Sequence, residues 1–364
     1  SLLNKLLYLL NFYTFVLYIV FNFIFHSMKI KNNRILVTGA EGFIGSHLCE
    51  KLVEKGANVR ALVLYNSFNQ EGWLEDIPNN VKNSIEIIPG DVRDQELIKK
   101  ISSNVDLIFH LAALISIPYS YNAPRSYVNT NVLGTLNILE AAKVGKCKKI
   151  IATSTSEVYG TALRVPIDED HKLQAQSPYA ASKISADFLL ESYVKSFNLP
   201  AAILRPFNTY GPRQSERAVI SSIIRQALDN DVKAIKVGNL EAKRDFNYVK
   251  DTVDAFISLA EASHKKIIFG NAYNTGTGQA VSINQTLKKI IKIIGTNKKV
   301  VQEKKRFRPI KSEVYNLVSS ASKLNELTNW KPKFSLEEGL KETIKWWEER
   351  LKMKKIRKSS NYAI

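Results

Sequence analysis

Tyr179 and Lys183 stand four residues apart in Ser177-Pro178-Tyr179-Ala180-Ala181-Ser182-Lys183. On a helix this spacing puts both side chains on one face. An ammonium beside a phenol favours the phenolate, so the pair predicts a lowered phenol pKa and a base that works near neutral pH. Lys183 would also be free to hydrogen-bond a cofactor ribose. Upstream, an apolar run ends in Thr153-Ser154-Thr155-Ser156-Glu157-Val158-Tyr159-Gly160. Thr155, Ser156 and Glu157 offer two hydroxyls and a carboxylate, groups suited to hydrogen-bonding a reacting oxygen and abstracting a proton. Taken alone, a Tyr and a Lys at this spacing are usually a solvated pair, and Glu157 a loop carboxylate. A nucleotide-binding pattern elsewhere in the chain gives them a use.

That pattern is Ile35-Leu36-Val37-Thr38-Gly39-Ala40-Glu41-Gly42-Phe43-Ile44-Gly45. A short apolar run stops at Gly39, and Ile44, Leu48 and Leu52 then recur every fourth residue. The expectation is a buried strand, a glycine turn and a helix. Gly39, Gly42 and Gly45 would let backbone N–H groups and the helix N-terminus approach a diphosphate. Their spacing of three and three differs from the commoner G-x-G-x-x-G. The next strand ends at Val63 and Leu64, neither acidic nor basic. With no basic partner there for a 2′-phosphate, NAD is the expected cofactor and NADP the alternative.

Strands at 59–64, 85–88, 105–111, 149–155 and 201–204 follow, with a helix over 131–142. Continuous apolar strands separated by helices predict an α/β fold, a Rossmann-type doubly wound parallel sheet covered on both faces. The alternation weakens after about residue 208. Helices at 218–228, 283–294 and 336–349 then mix with short strands near Ile235 and Tyr273, which suggests a smaller mixed α/β lobe that crosses back to the first. The expected division is a dinucleotide-binding domain over 28–207, a substrate lobe over 208–350 and a basic tail over 351–364.

The chain has 364 residues, 45% of them hydrophobic, enough for one large domain or two joined ones. Cys49 and Cys147 are the only cysteines, too far apart in sequence for a C-x-x-C pattern, so neither a disulfide framework nor a metal site is expected. A reducing, cytoplasmic setting is the plain reading. The net charge of +18 raises nucleic acid as a partner. The lysines are scattered and no nucleic-acid motif accompanies them, so no such partner is expected; the field suits an anionic small molecule equally well. Residues 1–27 are almost wholly apolar, with Lys5 the only fixed charge, a length that would span a membrane. Because the first Met is Met28, six residues before the first strand, translation from Met28 is expected, with a membrane anchor as the alternative.

Several motifs act together. Thr38-Gly39-x-x-Gly42-x-x-Gly45, Asp91-Val92, His110-Leu111-Ala112-Ala113, Tyr179-x-x-x-Lys183 and Arg205-Pro206-Phe207-Asn208 resemble the extended short-chain dehydrogenases/reductases that act on nucleotide-sugars. The resemblance covers residues from Met28 to Trp347. It implies cofactor contacts from Gly39, Gly42, Phe43, Ile44, Gly45, Asp91, Val92, Leu111, Ala112 and Ala113, together with Tyr179 and Lys183. It implies substrate contacts from Asn208, Arg244 and Arg308, where a planar guanidinium suits a diphosphate. The family commonly forms dimers through a pair of helices, so a homodimer is expected.

Thr155-Ser156-Glu157 resembles the Thr-Asp-Glu or Thr-Ser-Glu triplet of the family's 4,6-dehydratases, the Ser form being that of the GDP-mannose 4,6-dehydratase type. The stretches 64–68, 113–121 and 208–215 look closer still to bacterial NDP-N-acetylglucosamine 4,6-dehydratases of legionaminic-acid-type pathways. The resemblance implies that Tyr179 takes the sugar 4-hydroxyl proton, Thr155 hydrogen-bonds that oxygen and Glu157 removes the C5 proton. Ser156 replaces the acid of the Asp form. A 4-epimerase, which needs no base at C5, is the rival. A non-catalytic nucleotide-binding or membrane-tethered scaffold is the reading from another class.

Overall fold

The computed structural model describes residues 28–307, 309 and 314–353. The apolar stretch 1–27, Arg308 and tail residues 354–364 lie outside the described residues.

Six strands alternate with helices from the start: β1 (Arg34–Thr38), β2 (Asn58–Leu64), β3 (Ile85–Gly90), β4 (Leu107–His110), β5 (Lys149–Thr153) and β6 (Ala201–Pro206). Eight shorter ones follow: β7 (Asn208–Tyr210), β8 (Ala234–Val237), β9 (Lys243–Arg244), β10 (Phe246–Tyr248), β11 (Ala272–Thr275), β12 (Val281–Ser282), β13 (Lys299–Gln302) and β14 (Asn316–Leu317). Seven of them form one sheet in the order β11-β6-β5-β4-β1-β2-β3. Every pairing in it is parallel. This is the doubly wound α/β sheet read from the sequence. Because the strands are parallel, their carboxyl ends lie along one edge. The winding reverses between β1 and β4, which opens a crevice at that edge.

Strands β1, β4 and β5 are buried at nearly every position because helices cover both faces. One face carries a core of Ile98, Ile101, Ile138, Leu139 and Leu190. The core on the other face, with Ile35, Val37, Leu48 and Phe256, continues without a break to Ile220, Ile224, Leu287 and Trp347 of the later segments. Each such side chain contributes roughly 1.5–3 kcal/mol by leaving water. The smaller elements therefore share the sheet's core.

Three expected elements differ. Over 131–142 the helix starts earlier and irregularly, as a π-helical turn Val128–Leu133 that runs into the α-helix Gly134–Gly145. Strands β4 and β5 end before Leu111 and Ser154. The Leu111 N–H donates both to the Thr38 carbonyl at 3.1 Å and to Thr38 Oγ1 at 3.2 Å, and the Ala112 N–H donates to Thr38 Oγ1 at 3.1 Å. Beyond Ser154 the chain turns into a short 3₁₀ helix, Ser156–Tyr159.

Candidate active site

Every residue singled out above that is described, apart from Arg244 and the helix pair Tyr179 and Lys183, follows the carboxyl end of a sheet strand: the glycine turn after β1, Asp91 after β3, Leu111–Ala113 after β4, Thr155–Glu157 after β5 and Asn208 after β6. The parallel sheet thus brings segments far apart in sequence to one edge.

The glycine turn is built by close approach. Gly39 has φ +68°, and a Cβ there would lie 2.8 Å from the backbone nitrogen of Ala112. A Cβ on Gly45 would lie 2.1 Å from the carbonyl oxygen of Gly39. The helix Phe43–Glu54 that follows has no side-chain cap and no acid in its first turn, so its leading N–H groups face an open end. Thr38 and His110 lock β1 to β4. Thr135 Oγ1 donates to the carbonyl of Asn131 at 2.6 Å, so it accepts from His110 Nε2 at 3.0 Å. That leaves His110 Nδ1 to accept from Thr38 Oγ1 at 2.8 Å. Burial holds this imidazole neutral, its pKa pushed down to about 3, and the charge of Lys183 acts in the same direction. Asp91 is bound to its neighbour Arg93, whose Nε lies 2.9 Å from Asp91 Oδ2, and this pairing holds its carboxyl below the usual range. Val92 is buried against Gly134.

Tyr179 enters on the first turn of the helix Pro178–Phe197. Ser177 caps that helix by accepting from the Ala180 N–H at 3.1 Å, and Pro178 occupies the first helical position. Tyr179 is buried against Leu114, Ile117 and Tyr127. Lys183 lies one turn on, and its ammonium donates to the carbonyl of Thr153 at 2.5 Å. The expected pKa effect is reversed here. Burial pushes the Tyr179 phenol well above its ordinary value, and the negative charges of Glu157 and Asp187 act in the same direction; a hydrogen bond from Thr155 is the one contribution that lowers it. Burial also lowers Lys183, while Asp187 supports its charge. Asp187 is itself held by Arg205, 2.9 Å away, and by Ser154 at 2.7 Å. Thr155 therefore hydrogen-bonds Tyr179, and the charge of Glu157 reaches it. Ser156 between them is 3% exposed.

Asn208 and Arg244 line a cavity of about 300 Å³. Among the described residues four cations reach it, Arg217, Lys236, Arg244 and Arg306, and no Asp or Glu does. Asn208 Nδ2 is buried and meets no acceptor among the described residues. Arg244 is held at the wall by its neighbour Asp245, which accepts from Thr277 N and Oγ1, Gly278 N and Ser319 N at 2.6 to 3.0 Å. Such a cavity suits an anion with several oxygens.

Sequence reading missed Arg217, Lys236 and Arg306. Arg306 sits two residues before the expected Arg308, and the run Arg306-Phe307-Arg308 was the available signal. It also missed Asn131. From the π-helical turn, Asn131 accepts from Leu114 N at 2.8 Å and donates to Leu114 O and to Ser182 Oγ, each at 2.9 Å. It ties the loop after β4 to the Tyr179 helix. A π-helical turn at such a place often marks a functional site.

Comparisons with known proteins bear on the family and the fold. A family model described as GDP-mannose 4,6 dehydratase matches residues 36–343. A putative UDP-glucose 4-epimerase of Methanocaldococcus jannaschii is 35% identical over 317 residues, covering 86% of this chain and 97% of that protein. The dTDP-D-glucose 4,6-dehydratase of Homo sapiens is 33% identical over 327 residues, covering 87% and 90%. Among solved structures, TunA, an NAD-dependent NDP-hexosamine 5,6-dehydratase involved in tunicamycin biosynthesis, superposes with a TM-score of 0.77 at 28% identity, covering 88% of this chain and 99% of that one. The chain belongs to the GDP-mannose 4,6-dehydratase family of extended short-chain dehydrogenases/reductases, enzymes that modify nucleotide-sugars.

Proposed function

We propose that the chain is a nucleotide-sugar 4,6-dehydratase that holds NAD and converts an NDP-hexose, of the N-acetylglucosamine type, to its 4-keto-6-deoxy form. The observation that carries this reading is the placement of Thr155 and Glu157 in the turn after β5, packed against the helix that carries Tyr179, from where both act on its phenol. A carboxylate within electrostatic reach of the C4 base is where a C5 base is needed.

The dinucleotide reading fits the turn. Gly39, Gly42 and Gly45 with Phe43 and Ile44 would hold the diphosphate at the open helix end, Asp91 and Val92 the adenine side, and Leu111 to Ala113 with Lys183 the nicotinamide side. NAD bound there would supply a hydride acceptor for C4 and the donor for C6, so the oxidation state of the sugar is restored overall. TunA, described as NAD-dependent and acting on an NDP-hexosamine, supports both the cofactor and the substrate class.

The side chains then divide the proton work. The positive charge that a bound oxidised nicotinamide would bring, with the Lys183 ammonium one turn on, would offset the burial that raises the phenol. As the phenolate, Tyr179 then accepts the 4-hydroxyl proton, and Thr155 hydrogen-bonds that oxygen and the phenol. The ketone at C4 acidifies the C5 hydrogen, and Glu157 takes it as a proton. Ser156 is a poor acid, so the proton Glu157 gained is the one returned to the hydroxyl departing from C6. The C5 hydrogen and the C6 hydroxyl leave together as water; once hydride is returned to C6, C5 takes up a solvent-derived proton through Glu157, which completes the 4-keto-6-deoxy product. Asn208, Arg244, Arg306 and, outside the described residues, Arg308 hold the diphosphate. Among the described residues no helix is long and apolar enough to cross a membrane, and the reading expects a cytoplasmic enzyme. It also expects a homodimer through the helices Gly134–Gly145 and Pro178–Phe197, where Val144, Phe188 and Phe197 are exposed.

The second reading, a 4-epimerase, is favoured by the relative in Methanocaldococcus jannaschii. It uses Tyr179 and leaves Glu157 without a task. Incubating the protein with GDP-, UDP- and dTDP-linked hexoses separates the two. A dehydratase yields a carbonyl product lighter by one water, whereas an epimerase yields a product of unchanged mass.

A further inference from the structure

The end of β2 is where a dinucleotide-binding sheet ordinarily supplies the acid that reads the adenosine 2′-hydroxyl. Here that place offers Val63 and Leu64. Asn66 beyond them is used up in its own loop: its Oδ1 accepts from Phe68 N and Gln70 N, each at 3.1 Å, and its Nδ2 donates to Gln70 O at 2.7 Å. A carboxylate nevertheless reaches this point from a different segment. Glu41, inside the glycine turn, accepts from the N–H of Leu64 through Oε1 at 3.1 Å. Its second oxygen, Oε2, is buried and meets no donor among the described residues.

The neighbourhood holds Glu41 in place. Trp73 N donates to the Glu41 carbonyl at 3.0 Å, and a Cβ on Gly72 would lie 2.9 Å from Glu41 Cβ. Trp73 is braced in turn by Arg350 of the C-terminal helix Leu336–Lys352, whose guanidinium lies 4.8 Å from the Trp73 ring and 5.1 Å from that of Trp346. A buried carboxylate oxygen without a donor is costly, and a ligand hydroxyl would remove that cost. Burial raises the Glu41 carboxyl above the usual carboxylate range while the Leu64 N–H supports its charge; the ionised carboxylate would repel a phosphate in the same position. The cations of the surrounding segments are already paired: Arg93 with Asp91, Lys82 with Glu71 and Arg350 with Asp76.

We propose that Glu41 takes over the reading of the adenosine ribose, accepting the 2′-hydroxyl through Oε2 and excluding a 2′-phosphate, so that NAD is selected over NADP by the glycine turn itself. This rests on the dinucleotide reading above. It adds that specificity comes from the second residue after Gly39 and not from the end of β2.

The test is direct binding of NADH and NADPH to the purified full chain, followed by energy transfer from tryptophan to the nicotinamide, with no turnover required. The wild-type chain should bind NADH about 100-fold more tightly than NADPH, since juxtaposed like charges cost several kcal/mol. Glu41→Gln keeps an acceptor for Leu64 N but loses the charge, and should bring the two affinities within about tenfold, mainly by tightening NADPH. Glu41→Asp keeps the charge and should keep the preference for NADH. Tight NADH binding by Glu41→Gln with an unchanged ratio would overturn the assignment of Glu41 alone. Failure of the wild-type chain to bind either dinucleotide would overturn the cofactor reading and this assignment together.

Discussion

The glycine turn after β1 and the cavity around Arg244 both suit phosphate groups, and they are built by opposite means. The turn uses backbone. Its fit depends on Cβ atoms that are missing at Gly39 and Gly45, and on N–H groups at an uncapped helix end. The cavity uses side chains. Arg217, Lys236, Arg244 and Arg306 come from four separate segments and bring full charges. A cofactor that is restored in each turnover gains from a rigid site with few adjustable parts. A substrate that must enter and leave gains from flexible cations that pull it in and release it as salt and water return. Between these regions stand Thr155, Glu157 and Tyr179, to which we assign the chemistry.

Substitutions can break one region while sparing the other. The largest loss is expected from Glu157→Gln. General acid–base catalysis contributes roughly 10²–10⁴-fold, so kcat for the 4-keto-6-deoxy product should fall within that range while NADH and nucleotide-sugar affinities stay near wild type. Steady-state kinetics with parallel binding titrations would check this; loss of binding would mean that the residue is structural. Next, Arg244→Ala should weaken only the cavity. Hydrogen bonds to charged groups are worth roughly 1.5–3 kcal/mol, so KM should rise about 10- to 100-fold with NADH affinity unchanged. Gly45→Ala should do the reverse. Its Cβ would meet the Gly39 carbonyl at 2.1 Å. Overpacking costs roughly 1–3 kcal/mol, so NADH affinity should fall about tenfold or more while UDP binding to the cavity is retained.

The smallest effect lies outside both regions and serves as a control. Lys149 is fully buried, and its ammonium donates to the carbonyls of Ala260 and Ala262, each at 2.7 Å, at the end of the helix Val249–Glu261. Burial pushes its pKa down to about 8. The unfolded value is about 10.4. Between those values the unfolded chain binds a proton that the folded chain lacks, so this group adds stability as pH rises through the window. Lys149→Met removes that contribution. Its Tm deficit relative to wild type should therefore grow from pH 7 to pH 10, by a few degrees at most, as read by thermal melts; a deficit that shrinks would reverse the sign argued here.

What the sequence made legible follows from how local each constraint is. The turn was readable because Gly39 and Gly45 answer to neighbours within a few residues or on the adjacent strand. The order of strand and helix was readable because each of β1 to β6 carries a run of apolar residues, such as Ile35–Val37, Ile150–Ala152 and Ala201–Leu204. The direction of the Tyr179 shift was not readable. Lys183 is visible four residues away, but Leu114, Ile117 and Tyr127, which bury the phenol, arrive from another part of the chain. Asn131 was hidden for a similar reason: its partners, Leu114 and Ser182, are 17 and 51 residues away. The cavity cations were the least legible. In a chain with 52 Lys and Arg residues, nothing local distinguishes Lys236 from a solvated neighbour.

The central claim is that Glu157 removes a proton from C5, and an incubation in deuterated water tests it most directly. The account predicts a 4-keto-6-deoxy product that carries solvent-derived deuterium at C5, and none from Glu157→Gln. A product epimerised at C4, with its mass unchanged and no deuterium at C5, would contradict it.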